Sequence, residues 1–333
     1  IIQDSFAGST EVGQLLDDSE QAIFAISERT MGSVFGTSKE LIQRVFEDLE
    51  KRAEHGELVT GVPTGYFKLD EITAGFQPSD LIIVAGRPSM GKTAFALNVA
   101  MRSAVSYGVP IAIFSLEMSM DQLMQRMLCA WGKVDLSKLR RGFLDDDDWS
   151  RLYDSANALS QAQIYIDDTP ALGSLEMRAR CRRLKAERDV GLIVVDYLQL
   201  MRASSKRIDS REQEISDISR NLKALAKELN VPVIALSQLN RKVEERTNKR
   251  PLLSDLRESG AIEQDADVII FLYRDAVYNK REDNPKLNVA EIIVGKQRNG
   301  PVGTVELTYL NRFTAFEDLE DRYTPPSEEI GAP

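Results

Sequence analysis

A chain of 333 residues, 43% hydrophobic and 28% charged, can bury a full α/β core and has no overall signature of disorder. Its formal net charge of −10 is the opposite of what a whole-surface nucleic-acid binder carries, so any positive potential must come from local clusters. The single histidine, His55, lies in a charged stretch, and Cys129 and Cys181 stand far apart without CxxC spacing; a histidine-based metal site or triad is excluded, and the thiols read as core residues in a reducing compartment.

The chain opens on Ile1-Ile2-Gln3 without an initiator methionine, which suggests that an N-terminal portion has been removed. No leader pattern follows and no apolar run approaches the ~18 residues of a membrane helix, so the default expectation is a cytoplasmic protein without membrane contact. Residues 11–55 read as helices, because Leu15, Leu16, Ile23 and Ile26, then Leu41, Ile42, Val45, Phe46 and Leu49, recur three and four apart. The second helix, about 38–55, has a narrow apolar stripe with no partner in its own short segment. It must pack either on its own core or on a neighbouring subunit, and the pattern leaves both open.

From Thr60 onward, apolar runs at 81–85, 111–116, 164–166, 192–195, 231–236 and 268–272 alternate with helical stretches. The clearest helix is marked by Ile215, Ile218, Leu222, Leu225 and Leu229. Near-continuous apolar strands separated by helices predict a mostly parallel, doubly wound α/β sheet covered on both faces. Runs at 289–294, 302–309 and 314–316, the first two separated by Gly300-Pro301, predict antiparallel strands at the sheet edge. Residues 317–333, acidic and containing Pro325-Pro326, read as a flexible tail.

After the first of these strands stands Gly86-Arg87-Pro88-Ser89-Met90-Gly91-Lys92-Thr93, a complete G-x-x-x-x-G-K-[ST] loop leading into a helix-forming stretch. A chance glycine turn is the bland alternative, and the strand and helix on the correct sides argue against it. Such a loop turns backbone N–H groups toward a nucleoside triphosphate at a helix N-terminus; Lys92 adds a charge near the β- and γ-phosphates, and Thr93 offers a hydroxyl to Mg²⁺. Asp196 closes the strand 192–195, where a carboxylate reaches Mg²⁺, usually through water. Glu117 follows the strand 111–116 and could polarise the attacking water, although a solvated strand-end acid would look alike. Gln238 is delivered to the same edge, where an amide can sense the γ-phosphate.

Six ordered motifs extend this reading: 60–65 (TGVPTG), 86–93, 115–118 (SLEM), 195–200 (VDYLQL), 237–241 (SQLNR) and 295–300 (GKQRNG). Together they resemble the DnaB family of bacterial replicative DNA helicases, over about residues 10–316. The resemblance implies a RecA-like P-loop NTPase, assembled as a homo-hexameric ring that hydrolyses ATP with Mg²⁺ and moves 5′ to 3′ along single-stranded DNA. It makes 1–30 a remnant of an N-terminal helical domain, 31–59 a linker with a subunit-docking helix, 60–316 the ATPase and helicase domain, and 317–333 the tail. It gives Lys92 and Thr93 to phosphate and metal, Asp196 to metal, Glu117 the water-activating role, and Gln238 the link between γ-phosphate and DNA loops. Lys296 and Arg298 would serve a neighbour's nucleotide, and Arg257, Glu258 and Gly260 would lie along the DNA backbone. Primase, a helicase loader and clamp-loader subunits are the partners it implies.

Without the resemblance, Lys296 and Arg298 are only two cations leaving a strand, and a solvated strand end would look the same. For DNA, the local clusters are Arg202, Lys206, Arg207 and Arg211 after Asp196, and Arg241, Lys242, Arg246, Lys249 and Arg250 after Gln238. The run Arg178, Arg180, Arg182, Arg183, Lys185, Arg188 reads instead as the solvated face of a helix. Two rival functions stay open: a strand-exchange ATPase that forms filaments, and a non-motor P-loop ATPase acting as a loader or switch.

Overall fold

The computed structural model describes residues 37–55, 59–202 and 210–319, with the backbone alone at 48, 51–55 and 257–260. The stripe Leu15, Leu16, Ile23, Ile26, the loop cations Lys206 and Arg207, and the tail beyond 319 lie outside the described residues. The chain divides into two compact units, 1–57 and 58–333.

In the first unit, α1 (Ser38–His55) begins where the sequence predicts. Its start is fixed reciprocally: Thr37 N donates to Glu40 Oε2 at 3.1 Å, and Glu40 N donates to the Thr37 hydroxyl at 3.4 Å. Leu41, Ile42, Val45, Phe46 and Leu49 are each 47–60% exposed, so the apolar stripe is not buried.

The second unit is built on a nine-stranded sheet in the order β3-β2-β4-β5-β1-β6-β7-β8-β9. The parallel strands are β1 (Leu81–Gly86), β2 (Ile111–Ser115), β3 (Ile164–Asp167), β4 (Leu192–Asp196), β5 (Val233–Gln238) and β6 (Val268–Tyr273). Three antiparallel strands continue the edge: β7 (Val289–Gln297), β8 (Gly303–Leu310) and β9 (Ala315–Asp318). Strand side chains alternate between two cores. Ile82 and Val84 pack with Phe95 and Val99 of α3 (Lys92–Tyr107), beneath α2 (Phe67–Thr73) and α4 (Met120–Gly132). Leu81, Ile83 and Ala85 face Met177 of α7 (Ser174–Arg188) and Leu222 and Leu225 of α8 (Arg211–Leu229). Between β2 and β3 lie α4, α5 (Leu136–Arg141) and α6 (Asp146–Gln161). Two fully buried layers explain why β1 reads as an unbroken apolar run. Cys129 and Cys181 are free and buried, and desolvation pushes their thiols up to about 11 and about 12.

Two local expectations are corrected. Glu317 and Asp318 continue β9 rather than opening the tail, because Thr308 pairs with Glu317 and Leu307 with Asp318, and Arg102 and Lys133 both hold the Glu317 carboxylate. The α7 cations are not a simply solvated face: Arg178 and Arg182 converge on Glu228 of α8, and Arg180 binds Asp167 and Thr169. The sequence run showed the charges but not the acids that a neighbouring helix and β3 bring to them.

Candidate nucleotide site

Four adjacent parallel strands end at one edge and deliver the predicted residues together. Gly86 is in register with Gln238, and Ser115 with Asp196. The loop after β1 turns through Gly91 at φ 96°, a left-handed conformation, and a Cβ there would meet the Phe316 ring at 3.1 Å. Glycine is therefore favoured first by the backbone, and a Cβ would also press on the buried Phe316 ring. Helix α3 starts at Lys92, so its unpaired N–H groups face the loop.

Lys92 Nζ donates to Gly86 O at 2.9 Å and to Arg87 O at 3.3 Å. Burial pushes its pKa down to about 8, with Asp196 pulling the other way. The Thr93 hydroxyl donates to Asp196 Oδ2 at 2.8 Å, and Asp196 is only 5% exposed. Desolvation raises its carboxyl to about 6 against the Thr93 hydrogen bond, with the Glu117 charge adding to the rise. Hydroxyl and carboxylate together fit Mg²⁺, which takes few protein ligands and keeps phosphate and water oxygens for the rest. Among the described residues no group of three or more His, Cys, Asp or Glu side chains could hold a metal alone. Glu117 is exposed and Gln238 sits at the strand end; both line the same cavity of about 500 Å³.

The cavity also takes residues that sequence reasoning missed. Arg126 of α4, Arg274, Tyr309, Asn311 and Thr314 line it. The Arg274 guanidinium lies 3.8 Å from the centre of the Tyr309 ring and donates to Ser89 O in the loop at 3.2 Å. Burial lowers its pKa. Its position just after β6, beside the loop-bearing strand, was a usable signal; Tyr309 gave none, since strand alternation reads it only as a buried face.

Lys296 and Arg298 are not part of this cluster. Arg298 N donates to Asp267 O at 3.0 Å, its guanidinium pairs with the Asp267 carboxylate at 3.5 Å, and it donates to Gln264 O at 2.7 Å. Lys296 Nζ donates to Glu263 O and Ala266 O at the end of α9 (Gly260–Asp265). Asp267 also accepts from Leu81 N, at the start of β1. The two cations thus occupy the opposite edge of the sheet, a strand length of about 20 Å from Gly86. A bulge aims them: Ile269 pairs with Lys296 and Ile270 with Val294, leaving Gly295 unpaired against the Phe271 ring.

The loop cations divide as well. Arg246 pairs with Asp255, Arg250 with Glu291, and Lys249 lies over the Tyr278 ring. Arg211 binds Glu214 and Gln199 O. These four side chains serve internal contacts, while Arg202, Arg241 and Lys242 are exposed. Arg257 and Glu258 end a 3-10 segment (Leu253–Ser259) and Gly260 opens α9; their side chains lie outside the described set.

A glycine loop between a buried parallel strand and a helix, with a carboxylate on a nearby strand of a doubly wound sheet, defines a RecA-like P-loop NTPase. The sequence profile of the DnaB-like helicase C terminal domain matches residues 61–318. Replicative DNA helicase DnaB of Geobacillus stearothermophilus is 51% identical over 332 residues, covering 100% of this chain and 73% of that protein. Replicative DNA helicase DnaC of Bacillus subtilis (strain 168) is 49% identical with the same coverage. Among solved structures, one described as an ATPase domain aligns at TM-score 0.80 and 40% identity, over 86% of this chain and 100% of that one. A DnaB-like replicative helicase, described with its interactions with primase, aligns at 0.77 and 37%, over 92% and 75%. The chain belongs to the DnaB family of replicative DNA helicases.

Proposed function

We propose that this chain forms the motor of a hexameric ring that couples ATP hydrolysis to 5′ to 3′ movement on single-stranded DNA and opens duplex at a replication fork. The observation that carries the ring is the separation of the two halves of the site. Lys92, Thr93, Glu117 and Asp196 gather at one edge of the sheet, and Lys296 and Arg298 at the other. A side chain at the far edge reaches a nucleotide only if another copy presents it. The exposed α1 stripe supports the same arrangement, and the exposed Phe143, Trp149 and Tyr153 of a second copy are a fitting seat for it.

In this reading the loop N–H groups and Lys92 bind the β- and γ-phosphates, and Thr93 and Asp196 hold Mg²⁺, which neutralises charge on the phosphate oxygens. Glu117 accepts the proton of the water that attacks the γ-phosphorus, so that ADP and phosphate leave. The neighbour's Lys296 and Arg298 stabilise the charge that spreads over the transferred group. Gln238, which lines both this cavity and the next, reports phosphate occupancy toward Arg241 and Lys242. Arg202, Arg241, Lys242 and the segment Arg257, Glu258, Gly260 contact DNA phosphates, which position without specifying sequence. Primase, a helicase loader and clamp-loader subunits are the partners proposed, at a cytoplasmic fork.

Mixing inactive subunits tests it. Arg298→Ala and Lys92→Ala proteins, each inactive alone, regain ATPase and forked-duplex unwinding in mixed rings, at interfaces that join an intact Lys92 to an intact Arg298. No recovery at any ratio, with subunit exchange verified, counts against action in trans; filaments instead of rings in electron micrographs would favour a strand-exchange ATPase.

A further inference from the structure

The second residue of the phosphate loop faces away from the nucleotide cavity. Arg87 is 6% exposed and lines a separate cavity of about 360 Å³, shared with Gln199, Gln238 and Arg241. Its guanidinium donates to Leu239 O at 2.8 Å and to Glu244 Oε1 at 2.9 Å. Glu244 belongs to the short 3-10 segment Arg241–Glu245, which carries the exposed Arg241 and Lys242. A backbone bond from Leu239 N to Gly86 O joins the Arg87 bond to Leu239 O in tying the loop to the strand end just before this segment.

We propose that the Arg87–Glu244 ion pair is a mechanical link between the phosphate loop and the Arg241–Glu245 turn, and that Glu244 is a positioning residue for DNA-dependent ATP hydrolysis. The inference rests on the reading of Arg241 and Lys242 as DNA contacts. Lys92 holds Arg87 O, so the same residue is gripped at its carbonyl by the phosphate-binding ammonium and at its side chain by the turn. When a γ-phosphate draws the Lys92 ammonium onto itself, the Arg87 peptide loses that grip and the movement passes through the guanidinium to Glu244. The pair is suited to transmit it. The Arg87 end is buried, where a charge-assisted hydrogen bond is strong and a broken one costly, and the Glu244 end is 43% exposed, where the turn can shift. The Arg87 hydrogen bond also holds the Glu244 carboxyl below the usual range, so the carboxylate stays charged at neutral pH. Gln238 lines both cavities and carries no charge, whereas Arg87 and Glu244 form a charged tie between the loop and the turn.

The test measures ATPase with and without oligo(dT), binding of labelled oligo(dT), and thermal melting for each protein. Glu244→Gln and Glu244→Ala should keep ATPase without DNA and oligo(dT) affinity near wild type, with melting lowered most in Glu244→Ala, while the stimulation by DNA falls by about fivefold or more. Glu244→Asp, which keeps the charge, should recover part of the stimulation, and Arg87→Lys, which cannot hold Leu239 O and Glu244 at once, should lower the stimulated-to-basal ratio. Full stimulation in Glu244→Ala would overturn the link alone. Equal losses with and without DNA would reduce the pair to a structural contact and overturn it as well. A wild-type protein without any DNA stimulation would overturn the functional reading first, and the link with it.

Discussion

The two edges of the sheet use similar chemistry and differ in what fixes it. At the carboxyl edge Lys92 rests on Gly86 O and Arg87 O, and at the amino edge Lys296 rests on Glu263 O and Ala266 O. Desolvation lowers the pKa of both lysines, Lys92 to about 8. The first edge is held by a glycine loop and a helix N-terminus, whose demands on residue type are narrow. The second is held by a bulge and by the carbonyls at the end of α9, which demand little of the sequence beyond Gly295. The comparison predicts that changes at the carboxyl edge act within one subunit, and changes at the amino edge only through an assembly.

Single substitutions at the charged positions of the two edges give the largest expected effects. Lys92→Ala should lower ATP turnover by about 10³-fold or more and weaken nucleotide binding. Glu117→Gln should retain nucleotide and lose hydrolysis by about 10²–10⁴-fold, since an amide keeps the shape but accepts no proton. Arg298→Ala should lose turnover on the order of 10³-fold with the chain's own nucleotide affinity intact. Equilibrium binding of a fluorescent ATP analogue beside single-turnover hydrolysis separates the three. Weak binding in the Arg298 variant as severe as in the Lys92 variant would erase the distinction between the edges.

Asp196 gives a pH-dependent effect confined to the carboxyl edge. Its carboxyl is raised from 3.8 to about 6 by burial, so the folded chain holds that proton more tightly than the unfolded one. It favours folding in acid, and that contribution declines as pH rises from about 4 to 6. An ionised Asp196 therefore costs on the order of 3 kcal/mol at neutral pH when no metal ion faces it. Asp196→Asn should melt higher than wild type above pH 6 in the presence of a chelator, with the gain vanishing toward pH 4. Equal melting at pH 7.5 would mean that Thr93 and Lys92 offset the burial in full. With Mg²⁺ and nucleotide added, the order should reverse, because only the carboxylate holds the metal.

Legibility in the sequence follows the same division. The phosphate loop, the parallel strands and the ends at Asp196, Glu117 and Gln238 were readable because each rests on local backbone rules, buried strand periodicity and the left-handed Gly91. The helix Ser38–His55 was readable to its bounds, but its apolar face left the choice of partner open. Arg274 and Tyr309 were missed because a guanidinium above a ring depends on pairing across separate strands. The loop cations were overcounted for the same reason: Arg246 and Arg250 stand in basic sequence, yet Asp255 and Glu291 come to them from other segments. Sequence spacing finds charges; tertiary pairing decides which remain at the surface.

The bulge at Gly295 offers the smallest change that should act at the amino edge alone. A Cβ added there would sit 2.6 Å from Phe271 Cε2, inside any tolerable contact, and Phe271 is buried at 1% exposure. Gly295→Ala must therefore displace either the ring or β7, at a cost of about 1–3 kcal/mol of overpacking. If the ring yields, the protein loses stability and keeps its ATPase. If β7 yields, the bulge shifts, and Lys296 and Arg298 just beyond it lose their hold on the carbonyls of α9. The second outcome is the expected one, since β7 ends in a loop while Phe271 is enclosed in the core. It reads out as a melting point lowered by a few degrees, an unaltered affinity for the ATP analogue, and turnover that falls toward the Arg298→Ala value. In mixtures, Gly295→Ala subunits should then complement Lys92→Ala subunits to the same extent as Arg298→Ala subunits do. Full turnover in a destabilised Gly295→Ala protein would show that the bulge shapes the sheet edge without aiming the two cations.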